Sequence, residues 1–265
     1  MGPPWSYSFM VVPGKRKQSR YPRLPPGTIV SRDDKASHLS FATLVAQITS
    51  CAVLVPNYRL TPNKMTPENE FRHPGHSEDI LRFLVFIASG SPWPHVPGAT
   101  FDPAGRKLYL MGHSAGAHIL SSIFLDSQLP SLLPSRSVLE ATKGLLFSEG
   151  IYDIDMLLAS FPSYRSWFIA DAFGDRSSYE NVSALRFPMH KESGSWKWLL
   201  VHSKGDTLVD AQQANAMHAH LCASIGPAAI EDVKKNVDQL DMEHDDVLKS
   251  AYFLELVRDF VIGSE

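Results

Sequence analysis

Strand, sharp turn and helix follow one another between residues 108 and 124, and this short stretch constrains the rest of the chain. Leu108, Leu110 and Met111 form an apolar run suited to a buried strand. Gly116, Ile119, Leu120, Ile123 and Phe124 then recur at i, i+3, i+4, i+7 and i+8, one face of a helix. Between them stands Gly112-His113-Ser114-Ala115-Gly116. A serine on so tight a turn has its hydroxyl pushed clear of the strand end, and the flanking glycines let strand and helix approach closely enough to hold it there. Gly-x-Ser-x-Gly alone matches by chance in roughly one chain of this size in ten. The flanking strand and helix carry the inference.

Further strands and helices alternate around this unit. Trp5 to Val12 suits a short strand inside an otherwise irregular, proline-rich segment, residues 1–37, and Leu39 to Ile48 suits a helix. Cys51 to Val55 is a continuous apolar run of the kind buried on both faces. His76 to Ala88 places Ile80, Leu84 and Ile87 on one helical face, and Gly144 to Phe147 is a buried strand that ends in Ser148-Glu149-Gly150. Residues 153–186 carry aromatic helical segments around Leu157 and Phe168 and no clear strand, as expected of a helical cap over a pocket. Trp196 to Val201 resumes the strand pattern, followed by a helix from Asp210 to Ala223 and a weaker strand at Lys235 to Leu240. The last helix opens near His244 with Phe253, Leu256, Val257 and Phe260 on its face. Alternation of this kind predicts an α/β fold, a mostly parallel sheet flanked by helices, in a single domain spanning residues 1–265.

Serine is a weak nucleophile unless a base takes its proton and a third group, usually a carboxylate, orients that base. Ser114 is followed by Asp206 after one strand and by His244 after another, the order nucleophile, acid, histidine expected of an α/β hydrolase. All three stand at the carboxyl ends of predicted strands, where open parallel sheets place their sites. Asp206 also suits a plain turn residue, Asp210 is a rival acid four positions on, and His244 also suits a helix start capped by Asp245 and Asp246. His113 and His118 flank the nucleophile and are expected to shape the pocket or pack locally. His218 with His220, and His73 with His76, do not read as metal sites: i and i+2 on a helix face different sides, and no cysteine or Glu-x-x-His spacing completes a set.

The net charge of −3 excludes a strong nucleic-acid footprint, so a small molecule is the expected partner, with a homodimer left open. Cys51 and Cys222 are too few for a disulfide framework or cysteine metal site, and the opening Met-Gly-Pro-Pro-Trp-Ser resembles no secretory signal, so the expected location is cytoplasmic. No apolar run approaches the roughly twenty residues that span a bilayer.

With these residues in view, the chain resembles the kynurenine formamidases of the α/β hydrolase superfamily over about residues 38 to 262. The resemblance rests on Asn57-Tyr58-Arg59-Leu60-Thr61-Pro62, the Ser114 turn, Glu149-Gly150-Ile151-Tyr152-Asp153, Val201-His202-Ser203 ahead of Asp206, and His244-Asp245-Asp246-Val247. It implies hydrolysis of N-formyl-L-kynurenine to L-kynurenine and formate, a step of tryptophan breakdown that feeds NAD synthesis, with no cofactor. It implies Ser114 as nucleophile, His244 as base and Asp206 as its orienting acid, with His113, Tyr152, Trp167 and Phe168 toward the substrate. The family's His-Gly-Gly-x-Trp, which follows an early strand and supplies oxyanion donors, is missing: the chain has no Gly-Gly and no His-Gly. Ala115 N–H remains as one donor; either another loop amide, from Gly27 or Thr28, is a candidate for the other, or the N-terminal part is altered, or the protein is an impaired relative. The fold expected on this basis carries an incomplete N-terminal part. A broad carboxylesterase, or an impaired hydrolase-like binding protein, are the alternatives.

Overall fold

The computed structural model describes residues 7–12, 38–62, 66–89, 107–192 and 194–263. Among the described residues six strands form one sheet: β1 (Tyr7–Val12), β2 (Ala52–Leu54), β3 (Leu108–His113), β4 (Thr142–Ser148), β5 (Lys197–Val201) and β6 (Val233–Asn236), in the order β2-β1-β3-β4-β5-β6. β3 to β6 pair in parallel, with Leu110 opposite Leu145, Leu146 opposite Leu199 and Leu200 opposite Lys235. β1 runs against both neighbours, so Tyr7 lies beside His113 while Val12 lies beside Ala52. The chain therefore enters β1 at the Ser114 end of the sheet and leaves it at the opposite end.

Helices α1 (Leu39–Thr49), α2 (Gly75–Ala88), α3 (Ala115–Phe124), α4 (Arg136–Ala141), α5 (Ile154–Ser160), α6 (Ala170–Phe173), α7 (Ala211–Ile225), α8 (Ala229–Asp232) and α9 (Ala251–Ile262) connect or cover the strands. Successive strand side chains point to opposite faces, and the core divides accordingly. Leu108 and Leu110 join Leu145, Phe147, Trp198 and Leu200 under α2, α3 and α7, where Ile80, Leu84, Ile119, Met217 and Leu221 meet them. Tyr109 and Met111 join Leu146, Leu199 and Val201 on the other face, against Phe41 and Val45 of α1 and Phe253, Val257 and Val261 of α9. Each such side chain contributes about 1.5–3 kcal/mol by leaving water, so the two-residue alternation along β3 and β5 sets which helices lie on which side.

Several expectations shift. The run at Cys51 to Val55 contracts to the three-residue β2, half-buried because it is the edge of the described sheet. α3 is buried all round from Gly116 to Phe124, not along one stripe, because the sheet, α2 and the segment after β4 enclose it. The last parallel strand begins at Val233, ahead of the predicted Lys235, and stops at Asn236. His244–Lys249 is a 3-10 turn, and α9 starts later, capped by Ser250, not by Asp245 or Asp246. Gly27 lies outside the described residues.

Candidate active site

The nucleophile position is built by backbone geometry. Ser114 has φ 55° and ψ −122°, a left-handed conformation that costs a non-glycine residue about 1–3 kcal/mol. Its N–H donates to the Ser148 carbonyl at 2.9 Å, and its own carbonyl accepts from Ala117 N–H at 3.1 Å, so β4 and α3 hold the turn from both sides. A Cβ at Gly112 would come within 2.6 Å of the Gly116 carbonyl oxygen and 2.7 Å of the Ala117 nitrogen. Only glycine permits that approach. Ala115 is the first residue of α3, where an N–H has no acceptor within the helix.

Asp206 and His244 arrive on two loops stapled together. After β5, Ser203 Oγ donates to the Met242 carbonyl and accepts from Met242 N–H, both at 2.7 Å, and Lys204 N–H donates to the Leu240 carbonyl at 2.9 Å. Gly205 packs so close that a Cβ there would meet Met242 N at 2.7 Å. Asp206 Oδ1 accepts from Leu208 N–H at 2.8 Å and Val209 N–H at 3.0 Å, and its Oδ2 lies 2.7 Å from His244 Nδ1. Burial alone would push this carboxyl up, but the His244 hydrogen bond and charge and further donors outweigh it and hold Asp206 down at about 2. An ionised carboxylate only accepts, so Nδ1 carries the imidazole proton. The basic nitrogen is Nε2, buried and without a hydrogen-bond partner. Asp210, the rival acid, instead caps α7 by accepting from Gln212 N–H at 3.1 Å.

His113 joins the Ser114 and His244 loops. Its ring centre lies 4.7 Å from that of His244, its Nδ1 is 2.9 Å from Ser148 Oγ, and its Nε2 is 3.6 Å from Asp245 Oδ1. Burial lowers it to about 4 against the opposing pull of Asp245, so it stays neutral near pH 7. It is wholly buried and packs between loops. Tyr152 lies in the core under the sheet, 1% exposed, with its ring centre 6.0 Å from that of Phe147.

Trp167 and Phe168 belong to the segment that rises beside the site. They are half-buried around Tyr164, at ring separations of 5.1 and 5.3 Å. The Tyr164 hydroxyl donates to the Leu208 carbonyl at 3.1 Å, which ties the aromatic segment to the Asp206 loop. Phe173 lies 5.2 Å from both His73 and His118, and His73 N–H donates to the Ala172 carbonyl at 2.8 Å. His218 and His220 face different partners, Cys222 and the Phe187 carbonyl. Among the described residues, two groups of potential metal ligands have atoms within 4.8 Å of one another: His113, His244 and Asp245, and Glu149, His202 and Asp206. Both are made of the site's own residues, and His244 Nδ1 and both Asp206 oxygens are already engaged within it.

Comparison with known proteins bears on the fold and on relatives. No protein-family model matches the chain. It is 29% identical over 201 residues to a kynurenine formamidase of Meyerozyma guilliermondii, covering 74% of this chain and 69% of that one. It is 26% identical over 226 residues to a kynurenine formamidase of Eremothecium gossypii, covering 82% and 83%. Among solved structures, a truncated carbohydrate esterase from gut microbiota matches with a TM-score of 0.58 at 13% identity over 85% of this chain and 78% of that one. Carboxyl esterase 2 of Tuber melanosporum matches with a TM-score of 0.56 at 17% identity over 87% and 72%. The chain has the α/β hydrolase fold and is similar in sequence to kynurenine formamidases.

Two groups beside Asp206 have no role assigned from the sequence. Glu149 follows β4 with φ 51°, its side chain fully enclosed, and Ser203 N–H donates to its carboxyl group at 3.0 Å. His202 Nδ1 lies 2.9 Å from Glu149 Oε2, but out of line for a hydrogen bond. A carboxyl group directly after a strand buried from Gly144 to Ser148 was the available signal, since such a position is next to the site in an open parallel sheet. Among the described residues no helix is long and apolar enough to cross a membrane.

Proposed function

We propose that this chain is a serine hydrolase that cleaves N-formyl-L-kynurenine to L-kynurenine and formate, with Ser114, His244 and Asp206 as its triad. The single observation that carries the proposal is the His244–Asp206 contact of 2.7 Å, with Nε2 left free at the sheet end where Ser114 sits on its strained turn. Names of the relatives support the substrate, since both compared proteins are named kynurenine formamidase.

In this mechanism Ser114 Oγ attacks the formyl carbon while His244 Nε2 takes its proton. The tetrahedral oxyanion forms next to Ala115 N–H, which points from the helix start and supplies one donor. The bond from carbon to nitrogen then breaks, His244 returns the proton to the aromatic amine, and L-kynurenine leaves. A water, deprotonated by His244, attacks the formyl ester on Ser114, releasing formate and restoring the serine. Asp206 keeps its charge throughout and stabilises the imidazolium. Trp167 and Phe168 offer flat apolar surface to the substrate ring, and the chemistry calls on no cofactor.

Purified protein is expected to hydrolyse N-formylkynurenine faster than p-nitrophenyl acetate, with Ser114→Ala losing at least a thousandfold of that rate. A preference for the acetate ester would make the enzyme a broad carboxylesterase. Failure to hydrolyse either substrate, with no labelling of Ser114 by a fluorophosphonate, would make it a non-catalytic binding protein.

A further inference from the structure

Glu149 and Asp206 are two carboxyl groups with fully enclosed side chains at the ends of β4 and β5. One oxygen from each and a ring nitrogen of His202 lie within 4.8 Å of one another. Among the described residues no lysine or arginine pairs with either. Two carboxylates so close in a dry site cannot both keep a negative charge. The donors decide which one does. Asp206 receives three, from Leu208 N–H, Val209 N–H and His244 Nδ1. Glu149 receives one backbone donor, Ser203 N–H, while the His202 approach is misaligned.

We propose that Glu149 is held protonated and donates its carboxyl hydrogen to Asp206, making it the positioning residue of the catalytic acid. The inference rests on the triad assigned above. Its consequence is that Asp206 is fixed by a donor from each side, His244 and Glu149, with its loop amides behind it. The left-handed backbone of Glu149, stabilised by its N–H bond to the Val201 carbonyl at 3.1 Å, aims the side chain along the strand ends. Protonation agrees with the local energetics: burial, then the Asp206 hydrogen bond and charge, push the Glu149 carboxyl up to about 10, while Ser203 N–H opposes them. The other titratable groups around the pair are His202, His244, Tyr152 and Tyr164, with Asp210 beyond His202 and His113 and Asp245 beyond His244. Burial lowers His202, so it brings no fixed positive charge that would favour ionised Glu149.

Carboxyl carbon NMR of glutamate-labelled protein, with the Glu149 signal assigned by its absence in Glu149→Gln, tests the proton directly. A protonated signal at neutral pH is expected, and in Asp206→Asn it should ionise at lower pH because the adjacent negative charge is gone. An ionised Glu149 at neutral pH overturns the assignment. The second measurement is the pH dependence of fluorophosphonate labelling at Ser114. Glu149→Gln retains a neutral donor, so its rate should stay within about twofold of wild type and its acid limb should not move. Glu149→Leu should lose about ten- to a hundredfold, as expected for one hydrogen bond to a charged group, with the acid limb raised because a less stabilised Asp206 holds the His244 proton more tightly. An acid limb that drops in Glu149→Gln, or a folded Glu149→Leu that labels like wild type, also overturns it. Wild type that takes no label at Ser114 refutes the triad, whereas ionised Glu149 in a protein that labels refutes only this inference.

Discussion

Asparagine at position 206 separates the orienting role of this residue from its structural role. Asp206 Oδ1 accepts from Leu208 and Val209 N–H, while Oδ2 meets His244 Nδ1 at 2.7 Å. Asparagine can keep the two backbone bonds only by placing its oxygen where Oδ1 was, which turns its NH2 group toward His244. That group only donates, so Nδ1 must accept and the imidazole proton moves to Nε2. An Nε2 carrying a proton cannot take the one from Ser114. Flipping the amide instead sets NH2 against two backbone donors and costs about 1–3 kcal/mol for each group left unsatisfied. The fold should therefore survive while turnover falls about 10⁴-fold, close to 5.4 kcal/mol of transition-state stabilisation at about 1.36 kcal/mol per tenfold. Initial rates with N-formylkynurenine, beside thermal unfolding of the same preparation, measure both. A folded Asp206→Asn protein that keeps more than a tenth of the wild-type rate would refute the assignment of Asp206 and the imidazole tautomer inferred from it.

Two further predictions concern stability. Gln213 is fully buried, accepting from Tyr152 N–H at 2.8 Å and Asp153 N–H at 2.9 Å and donating to the Asp153 carbonyl at 2.7 Å. Gln213→Ala orphans those groups and should cost roughly 3 kcal/mol or more, read from urea unfolding, and a loss below 1 kcal/mol would contradict the clamp. His76, His113 and His118 are each lowered by burial to about 4, against about 6.5 unfolded, so between those values the unfolded chain binds protons the folded chain does not. Stability should fall as pH drops from about 6.5 toward 4. Raised Glu149 acts in the opposite sense, being protonated only in the folded state between about 4.5 and 10, but one group opposes these three and the likewise lowered His73, His202 and His218 below pH 6.5. Above that, stability should decline gently with rising pH, and Glu149→Gln should flatten the decline. Melting temperatures unchanged between pH 7 and 5 would contradict the histidine assignment.

Strand and helix order were legible wherever burial imposed a clear period. The alternation within β3 and β5 and the Ile80, Leu84, Ile87 stripe of α2 are local consequences of which side chains leave water, and so are visible residue by residue. β2, β6 and the start of α9 were placed less well. Their limits are set by neighbours: β2 ends where the sheet ends, and α9 starts where Ser250 caps it after a 3-10 turn. Asp206 and His244 were identifiable from chain order and from the strands ahead of them. Asp210, a rival of the same residue type, was separated from Asp206 only by geometry, which puts one carboxylate on His244 and the other on a helix cap.

Chemistry confined to neighbouring residues, then, was settled by the sequence itself: Gly112 must be glycine for its strand to meet the next helix, and Ser114 must occupy the turn between them. Tertiary structure decided everything that depends on distant strands ending at one place. It set β1 against its neighbours, enclosed α3 on every side, stapled the Asp206 loop to the His244 loop through Ser203, and placed Glu149 beside Asp206. The reason is that hydrogen bonds and like-charge exclusion act over a few ångströms of space, whereas Glu149 and Asp206, adjacent at their strand ends, are separated along the chain by the entire aromatic segment.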